Sequence, residues 1–291
     1  MSSTKKVLVL GANGLLGHEL MSSNFPKGWE VVGHFGRHHE KYADLSATEQ
    51  TLTYLDDISP DVIINLIALT NVDYCESHPN DAYALNTRVV ENIVAWIKAQ
   101  PCYIQLIQIS SDQVYDGQGA HSEAAVTLTN YYAFSKYAGE LAANQIDAAI
   151  LRTNLFGKSR TDARTSFSDW LYQALTQNQD IKVFDDVYFS PLSMSTLCQM
   201  IIKVILNNLT GTYNLGSNQG LSKADFAFEF ASALGATINN MTRTTMDQAG
   251  IVKTYRPGDM RLNVKKFEQA MKLSLPNLSD EIIAVAKEYQ L

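Results

Sequence analysis

One pair of side chains is spaced so that it could move a proton. Tyr132-Ala-Phe-Ser-Lys136 is the only Tyr-x-x-x-Lys in the chain. On a helix that spacing puts both side chains on one face, a turn apart. A phenol can protonate the alkoxide left when hydride reduces a carbonyl. A free tyrosine, with a pKa of about 10, titrates roughly three units too high for two-way exchange near neutrality. An ammonium about 4.5 Å away, at an effective dielectric of about 20, contributes ~3.7 kcal/mol, or ~2.7 units. With 14 tyrosines in the chain, chance alone can produce such a pair, so its place in the fold decides its weight.

A second constellation is a glycine turn, Gly11-Ala-Asn13-Gly14-Leu15-Leu16-Gly17. Glycines at this spacing permit a tight turn, close approach of backbone to a pyrophosphate, and tight helix–strand packing. A helix opening there presents free N–H groups and a partial positive charge to phosphates. The turn therefore reads as a dinucleotide site. An acidic residue at the end of the second strand selects NAD, and a basic one NADP. The second strand ends His34-Phe-Gly-Arg37, with no acid before Glu40, so Arg37 favours NADP(H) over NAD(H).

The elements that must position these residues follow from short apolar runs. Lys5–Leu10, Glu30–Phe35, Asp61–Leu66, Tyr103–Ile109 and Ala148–Arg152 are continuously apolar and β-branched, as expected of strands buried on both faces of a parallel sheet. Helical periodicity fills Gly14–Ser22, Thr48–Asp56, Pro79–Ala99 and Thr129–Gln145. Strict alternation predicts an α/β fold with a doubly wound parallel sheet of the Rossmann type. The glycine turn then follows the first strand and opens the first helix. Tyr132 and Lys136 fall on the helix after the fourth strand, and Ile109-Ser110-Ser111-Asp112-Gln113 lies at that strand's carboxyl end, where ligands bind in such sheets.

After Arg152 the rhythm breaks. Ser166–Gln177 and Ser193–Asn208 read as helices, Gly211–Gly216 as a late strand, Ser222 as the cap of a helix to Leu234, and a last helix follows Ser279. The expected organisation is a dinucleotide-binding domain over 1–153, to which 193–216 returns. A smaller C-terminal substrate-binding subdomain is expected over 154–192 and 217–291.

Composition sets the outer bounds. A net charge of −7 argues against nucleic-acid or anionic-membrane partners, both of which want a basic face. Cys75, Cys102 and Cys198 are scattered, as reduced cytoplasmic thiols are, and neither they nor the His38-His39 pair has metal-ligand spacing. The apolar run Val7–Leu10 is too short for a leader or a membrane span. The expectation is a cytoplasmic enzyme with a small-molecule partner and no metal. The sequence leaves the oligomeric state open, a homodimer included.

The glycine spacing, Gly-x-x-Gly-x-x-Gly, resembles that of the extended short-chain dehydrogenases. Across essentially the whole chain the likeness narrows to the dTDP-4-dehydrorhamnose reductase family, whose members act on nucleotide-linked 4-keto sugars. It rests on GANGLLG, Asn65–Glu76, SSDQVYDG, Asn130–Lys136 with Ala-Gly139-Glu140, Leu151-Arg-Thr and Arg256-Pro257. The resemblance implies that Ser111 hydrogen-bonds the substrate carbonyl and that Tyr132 gives the proton. Lys136 would tune that phenol and hold the nicotinamide ribose. Asp44-Leu45 would sit at the adenine, unless Asp44 only caps the following helix. Ala68, Leu69 and Thr70 would line the cofactor, and Thr70 and Val72 would edge the sugar, with Asp112, Gln113, Asn154 and Arg256 on the substrate side.

Two departures bear on the substrate. The family has tyrosine where this chain has Gln113, and a tryptophan after Leu-Arg-Thr where this chain has Asn154-Leu155-Phe156. Related 4,6-dehydratases place a glutamate base at the Gln113 position, and an amide cannot take a proton at neutral pH. Dehydration is therefore disfavoured. Sugar-nucleotide epimerisation and a non-catalytic, dinucleotide-binding regulatory subunit stay open as alternatives to reduction. The cofactor reading has a direct check: Arg37→Ala should weaken NADPH binding by about 1.5–3 kcal/mol, the range for a charged hydrogen bond, and leave NADH nearly unaffected. Dissociation constants for both cofactors decide it, and equal losses would remove Arg37 from the 2′-phosphate.

Overall fold

The computed structural model describes residues 4–36, 42–161, 164–250 and 253–290. The most apolar run forms the strand β1 (Lys6–Leu10), whose residues Val7–Leu10 are fully buried. β1 pairs in parallel with β2 (Glu30–His34) on one side and β3 (Val62–Asn65) on the other. β3 pairs in parallel with β4 (Gln105–Ser111). With β5 (Ala149–Thr153) and the edge strand Gly211–Asn214, the order is Gly211–Asn214, β5, β4, β3, β1, β2. This six-stranded parallel sheet is the predicted doubly wound one. Because β2 and β3 lie on opposite sides of β1, the carboxyl ends of β1 and β3 flank the switch point where ligands bind in such sheets.

The chain forms two compact units. The first comprises 1–111, 130–151 and 198–212, the second 112–129, 152–197 and 213–291, so the chain passes between them five times. In the first unit α1 (Leu15–Met21), α2 (Thr48–Ile58), α3 (Val72–Ser77), α4 (Pro79–Tyr83), α5 (Val89–Ala99) and α6 (Tyr131–Ala143) alternate with the strands. Its core is built from Leu8, Leu10, Leu55, Ile63, Ile93, Trp96, Leu106 and Ile150. Burying such side chains contributes about 1.5–3 kcal/mol each.

One expected helix is not continuous. Over Pro79–Ala99 the chain forms α4, a π-helical turn at Ala84–Arg88 and then α5. The Val89 N–H reaches back five residues to the Ala84 carbonyl, so one residue more than an α-turn allows is accommodated. α3 has no counterpart in the apolar pattern. It is started by Asn71, whose side chain accepts from the Tyr74 N–H at 3.0 Å.

The second unit packs the helices Phe167–Thr176, Lys223–Leu234 and Leu278–Tyr289 around Phe156, Leu171, Phe189, Phe226, Phe230 and Ile282. Phe156 meets Phe226 edge-on, with centroids 4.9 Å apart. Ser222 caps its helix as the sequence suggests, accepting from the Asp225 N–H at 2.9 Å. The parallel pairing of Ile181–Phe184 with Met241–Thr244 was not legible in the sequence. Among the described residues no helix is long and apolar enough to cross a membrane.

Within the first unit, α6 approaches the π-helical turn closely. A Cβ built on Gly139 would lie 2.3 Å from the Asn86 carbonyl oxygen. That oxygen is backbone and cannot step aside. Gly139→Ala should therefore overpack this contact and destabilise the protein by about 1–3 kcal/mol, read as a lower urea midpoint at unchanged slope. An unchanged midpoint would mean that the helices can separate freely.

Candidate active site

The glycine turn at the end of β1 is a tight backbone cradle. Gly11 has φ +82°, and its Cβ would lie 3.2 Å from Ile67 N on the strand-end loop of β3. A Cβ on Gly17 would come within 2.3 Å of the Gly11 carbonyl oxygen. Gly14 N–H closes the turn onto Gly11 O at 3.0 Å. Gly14 starts α1 without a side-chain cap, and no acidic residue stands in the first turn, so no side-chain carboxylate there competes for an anion. Leu16 and Gly17 are buried, Leu15 is partly buried, and Asn13 is exposed beside Gly36. Arg37 lies outside the described residues.

Downstream of β2, the buried His34 ring holds the Ala43 carbonyl at 3.0 Å. Asp44 does not cap α2, whose N-cap is Ala47. Its carboxylate instead accepts from Ser46 N–H at 3.0 Å and from Ser46 Oγ at 2.7 Å, closing the turn that leads to the helix. Leu45 is buried in the core, and its carbonyl accepts from Thr51 Oγ1 and Asn92 Nδ2.

The loop after β3 carries Ala68, Leu69 and Thr70 and is fixed by one residue that sequence reasoning missed. Asn86, in the π-helical turn, accepts from Leu69 N–H at 2.7 Å and donates to Leu69 O at 3.1 Å and to Ser135 Oγ at 2.8 Å. It thus ties that loop to α6. Ala68 and Leu69 are partly buried and Thr70 is exposed. Val72 is 4% exposed and packs with Cys75, Ala82, Leu69 and the Tyr132 ring. The cluster holds that ring from behind.

Asn130 starts α6, accepting from Ala133 N–H at 2.9 Å. Tyr132 follows, and one turn later Lys136 lies buried. Lys136 Nζ donates to the Ile109 carbonyl at 2.8 Å. Ile109 is two residues before Ser111, the last residue of β4. The structure therefore brings the tyrosine–lysine helix onto the strand that ends in the candidate serine. Burial pushes the Lys136 ammonium down to about 8, against a smaller opposing pull from Glu140. Near neutrality it stays charged, and it loses its proton in the range where an exposed lysine would keep it.

In the second unit, Asp112 and Gln113 begin a short 3-10 turn, Asp112–Val114. Asn154 Nδ2 donates to Asp112 Oδ2 at 2.7 Å. A second residue missed in the sequence is Lys223, partly buried at the start of its helix. Burial lowers its pKa, Asp112 opposes that shift, and Arg256 adds to it. Asp112, Asn154, Lys223 and Arg256 thus share one polar locality. Lys223 follows a capping serine and belongs to no motif, so only the folded chain reveals its neighbours. Among the described residues, no group of three or more His, Cys, Asp or Glu side chains is placed to hold a metal ion.

The family model described as RmlD substrate binding domain matches residues 5–291. A probable low-salt glycan biosynthesis reductase of Haloferax volcanii is 27% identical, covering 95% of this chain and 96% of the relative. The dTDP-4-dehydrorhamnose reductase of Escherichia coli K12 is 29% identical, covering 93% of each. The crystal structure of the dTDP-4-dehydrorhamnose reductase of Bacillus anthracis in complex with NADP superposes with a TM-score of 0.89 at 25% identity. It covers 98% of this chain and 100% of that one.

The depressed Lys136 makes stability depend on pH. Between about 8 and 10.5 the unfolded chain holds a proton that the folded chain has lost, so folding gains stability as pH rises through that window. Relative to Lys136→Met, the wild-type protein should gain on the order of 3 kcal/mol from pH 7.5 to pH 10.5. Denaturant titrations of both proteins at the two pH values measure it. A constant gap would mean that Lys136 titrates as an exposed lysine.

Proposed function

This chain belongs to the RmlD substrate-binding domain family, and on that premise we propose that it is a cytoplasmic NADPH-dependent reductase. Its substrate would carry a 4-keto group on a nucleotide-linked deoxy sugar. The observation that carries this reading is the bond from Lys136 Nζ to Ile109 O. It brings the Tyr132 helix against the strand that ends in Ser111.

The chain's own residues fit a dinucleotide. The Gly11–Gly17 turn leaves no room for a Cβ at Gly17, so the start of α1 packs directly on the turn, as a pyrophosphate-binding turn requires. Gly11, Asn13, Gly14, Leu15, Leu16 and Gly17 would hold the pyrophosphate, Arg37 the 2′-phosphate, and Asp44 with Leu45 the adenine end. Ala68, Leu69, Thr70 and Lys136 would hold the nicotinamide half. When bound, NADPH supplies the hydride. Ser111 donates a hydrogen bond to the carbonyl oxygen and fixes its position. The Tyr132 hydroxyl then gives its proton to the developing alkoxide. The Lys136 ammonium stabilises the phenolate that remains, which water reprotonates. Asp112, Gln113, Asn154, Lys223 and Arg256 would meet the sugar nucleotide. Gln113 stands where the family has tyrosine, and Asn154-Leu155-Phe156 where it has a tryptophan, so the particular sugar would differ from the family's usual one.

Steady oxidation of NADPH against a panel of nucleotide 4-keto-6-deoxy sugars tests the reading. An epimerase would interconvert such sugars without net NADPH consumption, and a regulatory subunit would bind NADPH without turnover. Tyr132→Phe should lower turnover about 10²–10⁴-fold with NADPH affinity nearly unchanged, as for loss of a positioned general acid. Lys136→Met should lower both, and Ser111→Ala mainly turnover. Retention of more than a tenth of wild-type turnover by Tyr132→Phe would overturn the assignment.

A further inference from the structure

Two neighbouring residues of β4 grip two residues one turn apart on α6. Ile109 gives its carbonyl to Lys136 Nζ at 2.8 Å. Ser110, the next residue, donates its Oγ to Glu140 Oε1 at 2.5 Å. All three side chains are almost fully removed from water: Ser110 is 5% exposed, Lys136 4% and Glu140 1%. A carboxylate buried to that degree is costly unless a partner repays it. Four residues after a buried lysine on one helix, it lies on the same face.

The roles of the two β4 contacts differ. A carbonyl oxygen accepts a hydrogen bond from an ammonium or from a neutral amine, so Ile109 positions Lys136 without strongly selecting its charge. A carboxylate does select it. Among the described residues Glu140 is the one charged side chain that bears on Lys136, and it favours the cation while burial disfavours it. The remaining titratable group on that helix face is Tyr132, one turn before Lys136. The hydroxyl of Ser110 keeps the carboxylate in place and satisfies one of its lone pairs in a site closed to water.

We propose that Glu140, held by Ser110, is a positioning residue that keeps Lys136 protonated near neutral pH, and so keeps Tyr132 poised as a proton donor. It acts through Lys136 and need touch neither substrate nor cofactor. The part concerning Tyr132 rests on the reductase reading above, whereas the part concerning the charge of Lys136 does not. Ser110 and Ser111 would then divide the work of the serine pair: one reaches back to fix the charge behind the lysine, and the other faces the reacting carbonyl.

The test reads the lysine itself. In protein labelled with 13C-lysine, the Lys136 Cε resonance, assigned by its loss in Lys136→Met, should titrate with a midpoint of about 8 in the wild type. Glu140→Gln keeps the shape and the acceptor oxygen but removes the charge, and should lower that midpoint by about a unit or more. Glu140→Asp should restore most of the shift. In kinetics, turnover by Glu140→Gln should fall about fivefold or more further between pH 6 and pH 8 than turnover by the wild type. A purely structural role would give a loss independent of pH. Should Glu140→Gln fail to fold, Ser110→Ala frees the same carboxylate, and the Lys136 midpoint must then move by about half a unit or more. A midpoint unchanged in Glu140→Gln, or in Ser110→Ala where that is the variant that folds, overturns the proposal. A shifted midpoint in a protein that oxidises no NADPH would keep it and overturn the reductase reading instead.

Discussion

The burial of one ammonium constrains the first unit more than any other single interaction. Placing Lys136 away from water costs several kcal/mol in principle, and the chain meets that cost with a strand carbonyl on one side and a carboxylate one turn away. Those contacts set how far α6 slides along β4, and hence where Tyr132 stands relative to Ser111. The close approach of Gly139 to Asn86 sets the other side of the same helix. Asn86 in turn fixes the loop after β3 by both its N–H and its carbonyl at Leu69. The β3 loop and the tyrosine helix are thereby parts of one hydrogen-bonded assembly.

The parts of this assembly legible in the sequence are those whose signals are local. Four consecutive buried residues, Val7–Leu10, announce a central strand because burial on both faces leaves no room for alternation. Tyr132 and Lys136 declare their common face through spacing alone. Asn86 and Glu140 do not, because their importance comes from partners 17 and 30 residues away, at Leu69 and Ser110. The π-helical turn is equally silent: Ala84-Leu-Asn-Thr-Arg88 carries no glycine or proline that would announce a break in the helix. In the second unit the short pairing of Ile181–Phe184 with Met241–Thr244 joins segments far apart in the chain, and the second, Met-Thr-Arg-Thr, is not apolar enough to announce itself.

Polar order in the second unit follows a different rule from that in the first. Arg152 donates to the Tyr115 hydroxyl at 2.6 Å and to the Glu123 carbonyl at 2.7 Å, and Tyr115 passes its own proton to Asn214 Oδ1 at 2.7 Å. His121 stacks on Tyr115 and bonds the Asp259 carbonyl. Such a network stabilises only when every member is satisfied, and it fixes a unique arrangement more firmly than apolar contact does. The neighbouring locality of Asp112, Asn154, Lys223 and Arg256 is built from the same types of side chain, but it sets two cations beside one carboxylate. Both are held by hydrogen bonds within the second unit.

The five passages of the chain between its units bear on how the protein is made. The first unit takes in residues 198–212, including the start of the edge strand Gly211–Asn214, so it cannot be completed while the early segments alone have left the ribosome. Between the emergence of Ser111 and of Thr212, roughly 5–20 s pass at ordinary rates of synthesis. In the first part of that interval β4, a largely buried strand of seven residues, waits for β5 with one hydrogen-bonding edge uncovered, and β5 then waits in the same way for Gly211–Asn214. Nascent chains stalled in that interval would be natural clients for a holdase.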